Sequence, residues 1–390
     1  MKLLLFLSFQ FFVFTITAQN VVVLGVEHSA QLVNTNHQPA ILRAFMDKVN
    51  PEGICIERSP REYLKNDFYE FTFEQQYCII PYAKDNSIPL YPIDWIPEDE
   101  DLELAFGVAD LAVPRFTRNP SGFWGFTVFS DSTSFNKDFY FADEENYYEN
   151  NKEWYANHSK KVSNDFARRL FLYRTFLQAK RIESVCRKYS KNDTILVVIG
   201  ALHKNDIEVN LASKGYTIIQ PSSYGKIALK EKEESFKIND AYAITTFNLL
   251  GMQSKIDVIN KELVDYAINK LDKDRPGLEL EFFKVKYDVL RNKIDSKIAI
   301  KSYLKLLTNI SKDSKFTWTG VKHNYRIDSY FDPFGNLTLW QRIHLELARE
   351  YLKINNTAAY QKQKELLFKE FKGFKLGMLS AYWGEHIHTM

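Results

Sequence analysis

The chain is poor in cysteine and glycine and carries almost no excess of charge. Its three cysteines among 390 residues, Cys55, Cys78 and Cys186, lie far apart and form no CxxC pair, which excludes a disulfide framework and a thiolate metal or redox motif. With 15 glycines and 12 prolines it is neither collagen-like nor a low-complexity linker. Its 51 Lys and Arg against 49 Asp and Glu leave a formal charge of +2. Because the two signs are interspersed, no basic footprint for nucleic acid is present. There is no GxSxG elbow, no GxxxxGKS/T phosphate loop and no HExxH helix, so three common catalytic scaffolds drop out. Beyond the first 18 residues no apolar run is long enough to span a bilayer.

What is present begins with an export signal. Lys2 is followed by an apolar run over 3–16, interrupted only by Ser8 and Gln10, and Thr17 and Ala18 precede Gln19. This pattern predicts cleavage near Ala18 and a periplasmic or extracellular mature chain. High Lys, Asn and Phe with low Gly suggests a bacterial chain. The remaining residues are ample for a large core, and the length suggests two domains, or one large α/β unit with a helical extension.

A short β-rich run at 21–24 is stopped by Gly25, a helical pattern covers 39–49, and a second apolar run at 53–56 closes on Glu57. Strand, helix and strand within 40 residues predict a parallel unit. The run 88–93 holds two prolines, which places it at a sheet edge, and it ends at Asp94. Residues 98–150, acidic, aromatic and irregular, read as an insertion or lid. A long helix is expected over 154–189, a strand over 194–199 stopped by Gly200, a helix over 206–213 and a strand over 216–219. Beyond 236 amphipathic stretches at 255–271, 278–293, 298–310 and 339–353 predict helices. The expected organisation is therefore a signal segment (1–18), an α/β domain with a mostly parallel sheet flanked by helices (19–235) and an all-helical C-terminal region (236–390).

The pattern that carries chemistry is a repeat. Gly25-Val26-Glu27-His28 follows one strand, and Gly200-Ala201-Leu202-His203 follows another. Both histidines therefore fall at strand carboxyl ends, the edge where parallel α/β sheets bind ligands. Glu57 and Asp94 close two further strands at the same edge. His28, Glu57, Asp94 and His203 are a donor set for a divalent transition metal (Mn, Co or Zn), and equally a set for general acid/base work. Glu27 points to the opposite side of its strand and stays outside. A cation to stabilise an anion is available on the helix before the second GxxH, from Arg168, Arg169, Arg174 or Arg181.

Paired GxxH motifs after strands, a Glu ending the second strand and an Arg on the helix before the second GxxH resemble the superfamily that groups TraB/GumN-like proteins, TIKI metalloproteases, erythromycin esterases and ChaN haem-binding lipoproteins. The resemblance covers about residues 20–225 and suggests an exported bacterial branch. In that group the TraB-like helix carries Arg-Asn, an apolar residue, Ala and Ile. Here the segment 173–182 keeps Arg, Ala and Ile but has Thr175 for the Asn and Gln178 for the apolar residue, which favours Arg174 over Arg181. The resemblance implies a hydrolase of peptide or ester bonds acting on a small molecule or peptide, with His28, Glu57, Arg174 and His203 as catalytic residues. Metal-assisted and metal-free routes both remain open, and haem or iron binding is the alternative the same superfamily implies. The final Trp383-Gly384-Glu385-His386-Ile387-His388 has a metal-like look but reads as a surface tail.

Overall fold

The computed structural model describes residues 19–66, 72–98, 101, 129, 132–156, 162–250, 252–255, 259–318 and 337–387. The expected signal segment, 1–18, and most of the expected lid, 102–128, lie outside the described residues. Among those described, no helix is long and apolar enough to cross a membrane.

Five strands form one all-parallel sheet in the order β3-β2-β4-β1-β5: β1 (Asn20–Val26), β2 (Gly53–Ile56), β3 (Leu90–Pro92), β4 (Thr194–Gly200) and β5 (Thr217–Ile219). Valine- and isoleucine-rich runs buried on both faces are what such a sheet requires. Strand β3, which ends on Pro92 and follows Pro89, sits at the edge, where missing N–H groups are tolerated. Between the strands lie α1 (Pro39–Val49), α2 (Pro60–Leu64), a π-helical segment (Glu74–Ile79) running into α3 (Ile80–Asp85), α4 (Glu145–Ala156), α5 (Val162–Cys186) and α6 (Ala201–Ala212). The chain inserts β4 between β1 and β2, so strand order reverses there. Crevices at such a reversal, beyond the carboxyl ends of the strands, are where α/β folds place their sites.

Alternation along the strands sorts the core into two layers. Val22, Leu24, Ile54, Ile56, Leu196 and Val198 face α1 and the helical half. Val21, Val23, Cys55, Ile195, Val197 and Ile199 face Ala179, Ile182, Val185 and Cys186 of α5 and Ile207 and Leu211 of α6. All three cysteines are free and buried.

Several boundaries differ from those expected. Strand β1 runs through Gly25 to Val26 rather than stopping at it, whereas β4 ends at Gly200 as expected. Neither glycine has a positive φ, so both are needed for closeness rather than for a turn. A Cβ on Gly25 would lie 2.8 Å from Ala142 Cβ and 3.0 Å from Ala201 Cα. Helix α6 begins at Ala201, directly out of β4, instead of near Asp206, which puts His203 on its first turn. The helix expected over 154–189 is divided between α4 and α5.

The helical region comprises α7 (Leu229–Glu234), α8 (Ile238–Leu250), α9 (Met252–Lys255), α10 (Lys261–Asp274), α11 (Leu278–Leu290), α12 (Ser296–Leu307), α13 (Leu339–Lys353), α14 (Thr357–Phe368) and α15 (Gly373–His386). Asn260, Asp295, Thr338 and Asn356 cap α10, α12, α13 and α14, each accepting an otherwise orphaned backbone N–H. Helix α8 is buried continuously from Asp240 to Leu250, and it packs in the same core as the sheet. Arg43 of α1 bonds Asp240 of α8 and donates to the Ser235 carbonyl at 2.9 Å. Trp383 is buried, its indole N–H donating to the Tyr360 hydroxyl at 2.6 Å, so this part of the C-terminus is core rather than tail.

Candidate functional site

The carboxyl edge of the sheet brings His28, Glu57, Asp94, Arg174 and His203 together. The loop after β1 supplies His28, the ends of β2 and β3 supply Glu57 and Asp94, α5 supplies Arg174 and the first turn of α6 supplies His203. All but Arg174 are buried, and the Arg174 side chain is only 12% exposed. Glu27 turns away to an ion pair with Lys137 at 2.9 Å.

Glu57 lies between the two imidazoles. Its Oε2 is 3.4 Å from His28 Nε2, and its Oε1 is 3.6 Å from His203 Nε2. The Gly200 N–H donates to Oε2 at 2.6 Å, and Arg174 Nη2 donates to Oε1 at 2.8 Å. Arg174 also grips Asp94 with two bonds, Nε to Oδ1 at 2.7 Å and Nη2 to Oδ2 at 2.6 Å, the planar fork for which guanidinium is suited. Gln178 Nε2 donates to Asp94 Oδ1 at 2.8 Å, and Arg181 donates to the Asp94 backbone carbonyl. Arg174 thus reaches the site as the shared partner of its two carboxylates, and Arg181 supports the backbone of the same loop.

Glu74 was not legible in the sequence. It is fully buried at the start of the π-helical segment, and its Oε1 lies 2.7 Å from His28 Nδ1. Its Oε2 accepts the Ser29 N–H at 3.4 Å. Ser29 itself has a left-handed φ of 61°, a costly conformation for a residue with a side chain, held immediately beside a site histidine. A π-helical insertion at a functional site is a recurrent device, but no residue pattern announces it.

Phe171 and Thr175 were also missed, although their spacing carried a signal. One helical turn apart on α5, they hold the His203 ring. Phe171 stacks on it with centroids 4.3 Å apart and planes 12° apart, and Thr175 Oγ1 meets His203 Nδ1 at 2.6 Å. Arg174 and Gln178, the pair three residues further along the same helix, hold Asp94. Residues i and i+4 share a helix face, so the site could have been read from α5 as two interleaved pairs. Thr175 and Gln178, the two departures from the TraB-like pattern, are each bonded to a site residue.

The electrostatics set the histidines apart. Burial alone would lower the pKa of His28, but the carboxylates of Glu74 and Glu57 on either side outweigh it and raise it to about 10. Burial lowers that of His203, with Glu57 opposing only in part. For Glu57, burial would raise the pKa, but His28 and Arg174 hold it well below the ordinary carboxylate range. One imidazole is a clamped cation and the other a neutral ring, with a carboxylate between them.

The same contacts bear on a metal. Both nitrogens of His28 face carboxylates, and the oxygens of Glu57 and Asp94 accept from Arg174, Gly200 and Gln178. Among the described residues no group of three or more His, Cys, Asp or Glu side chains is arranged to hold a metal ion. An ion held by His28, Glu57, Asp94 and His203 would have to compete with Arg174 for both carboxylates, whereas the contact of Glu74 with His28 Nδ1 could stay in place.

No family model matches the sequence, and neither a curated protein nor a solved structure matches it significantly.

Proposed function

We propose that this chain is a hydrolase that transfers an acyl group of an ester or peptide to water, with His203 as general base. The observation that carries this reading is Glu57 between two imidazoles whose surroundings shift their pKa values in opposite directions. Environments that push two titratable groups apart assign an acid and a base. Water attacks the scissile carbonyl carbon and gives a proton to His203 Nε2. As the carbon–oxygen or carbon–nitrogen bond breaks, the leaving group takes a proton from His28. Glu57 stabilises each ring while it is protonated, and Arg174 positions Glu57 and Asp94 rather than meeting the substrate directly. Positioned acid/base groups of this type contribute roughly 10²–10⁴-fold each.

The metal-free route is the better supported, because Arg174 already engages the carboxylates of both Glu57 and Asp94. The metal-assisted route with Mn, Co or Zn and the haem or iron alternative are outcomes of one test. Metal content and visible absorbance are measured on residues 19–390 purified without chelator, alongside hydrolysis of ester and peptide panels. Turnover of a colourless, metal-free protein is expected. One equivalent of metal whose removal abolishes turnover selects the metal route, and a Soret band without turnover selects haem carriage and overturns the hydrolase.

A further inference from the structure

We infer that Thr175 is a positioning residue that fixes the tautomer of His203, placing the proton on Nδ1 and leaving Nε2 bare toward Glu57. This inference rests on the hydrolase reading for its consequence but on hydrogen-bond geometry for its content.

Thr175 Oγ1 has two neighbours. It lies 2.9 Å from the Phe171 carbonyl oxygen, one turn back on α5, and 2.6 Å from His203 Nδ1. A hydroxyl has one proton. The Phe171 oxygen can only accept, so the contact to it is made by the Thr175 proton, the usual back-bond of a helical threonine. The oxygen lone pairs then face Nδ1, which must donate. A neutral imidazole carries one N–H, so Nε2 keeps its lone pair. That nitrogen is the one directed at Glu57 Oε1, 3.6 Å away.

The consequence is directional. A base needs its lone pair on the side where the proton arrives, and the opposite tautomer would point an N–H at Glu57 instead. The Phe171 ring, stacked on the imidazole, holds it in one plane. Phe171 and Thr175 therefore act as one device on one face of α5: the ring fixes the plane and the hydroxyl fixes the proton. A hydrophobic residue of the same shape at 175 would keep the packing and lose the choice of tautomer.

The test is imidazole ¹⁵N NMR of histidine-labelled residues 19–390 at a pH where His203 is neutral, with its signals assigned by their loss in His203→Gln. The expected spectrum has a protonated Nδ1 and an unprotonated Nε2 in the wild type and in Thr175→Ser. In Thr175→Val, whose melting temperature and circular dichroism check the fold, this pattern should give way to a mixture or to protonated Nε2. With any hydrolysed substrate, Thr175→Val should lose roughly 10²–10⁴-fold in kcat with KM little changed, and Thr175→Ser should retain most activity. A wild-type His203 protonated on Nε2 overturns the inference even if Thr175→Val does not fold, as does an unchanged tautomer in a folded Thr175→Val. The expected tautomers in a protein that hydrolyses nothing leave this inference standing and refute the hydrolase reading.

Discussion

Glu57 accepts the Gly200 N–H at 2.6 Å, and a Cβ on Gly200 would stand 3.2 Å from the same carboxylate oxygen and 3.1 Å from His28 Nε2. The glycine of the second GxxH is thus part of the site itself. Its missing side chain is the space in which the carboxylate and the first histidine meet. The two GxxH motifs are coupled through Gly25 as well, which is pressed against Ala201 of the second motif.

Gly200→Ala should therefore cost stability and function together. The atoms it meets are held by Glu74 and Arg174 and cannot easily retreat, so a loss of about 1–3 kcal/mol is expected, as for other overpacked sites. Urea denaturation measures the first effect, and turnover should fall by more than the stability loss accounts for. An alanine variant with unaltered stability and activity would show that the close approach is not required.

Arg174 neutralises two buried carboxylates at once. Arg174→Ala leaves Glu57 and Asp94 without their shared cation, at a cost of roughly 3–5 kcal/mol. Arg174→Lys should recover only part of this, because an ammonium cannot reproduce the bidentate fork. Equal stability of the Lys variant and the wild type in chemical denaturation would contradict this.

The histidines predict a pH optimum for stability. The folded pKa of His28, about 10, lies above its unfolded value of 6.5. Its stabilising contribution is complete below pH 6.5 and is lost as pH rises through about 10. For His203 the folded value is lowered, so its contribution is present above 6.5 and is lost as pH falls. The depressed Glu57 adds further loss in acid. Unfolding free energy followed from pH 5 to 10 should peak near 6.5, and His28→Gln should flatten the alkaline limb. An unchanged alkaline limb in that variant would remove His28 as its source.

The helical half should be indispensable to the α/β half. Asn248 Nδ2 donates to the Leu32 carbonyl at 2.7 Å, and Asn260 Nδ2 donates to the Val33 carbonyl at 2.8 Å, so α8 and the cap of α10 hold the loop that follows His28. One sheet face also shares its core with α8 and α10 to α13. A chain ending at residue 235 would expose that face, and it should lack near-ultraviolet circular dichroism and cooperative melting. Cooperative unfolding of residues 19–235 alone would show that the halves are independent.

The sheet and the residues at its edge were legible because strand ends are marked in sequence. Apolar runs of four to seven residues closed by Glu57, Asp94 and the two motif glycines gave strand identity, and the parallel topology brought those ends together. The limit of the first strand was misplaced at Gly25 because a glycine demanded by a close neighbour looks the same in sequence as one demanded by a turn. Glu74 was hidden because its partner His28 is 46 residues away and its own segment is π-helical. Phe171, Thr175 and Gln178 lay within reach, since each is a helical turn from a partner that also touches the site. The joint core of the two halves could not be read, because amphipathic helices show that they bury a face without showing against what.

The most direct test of the central claim is turnover of an ester and peptide panel by residues 19–390 in the presence of chelator, compared with His203→Gln and Glu57→Gln variants of unaltered circular dichroism. The account predicts chelator-insensitive hydrolysis that falls by at least about 10²-fold in His203→Gln and is also lost in Glu57→Gln. Wild-type rates in both variants, or no hydrolysis of any panel member by the wild type, would contradict it.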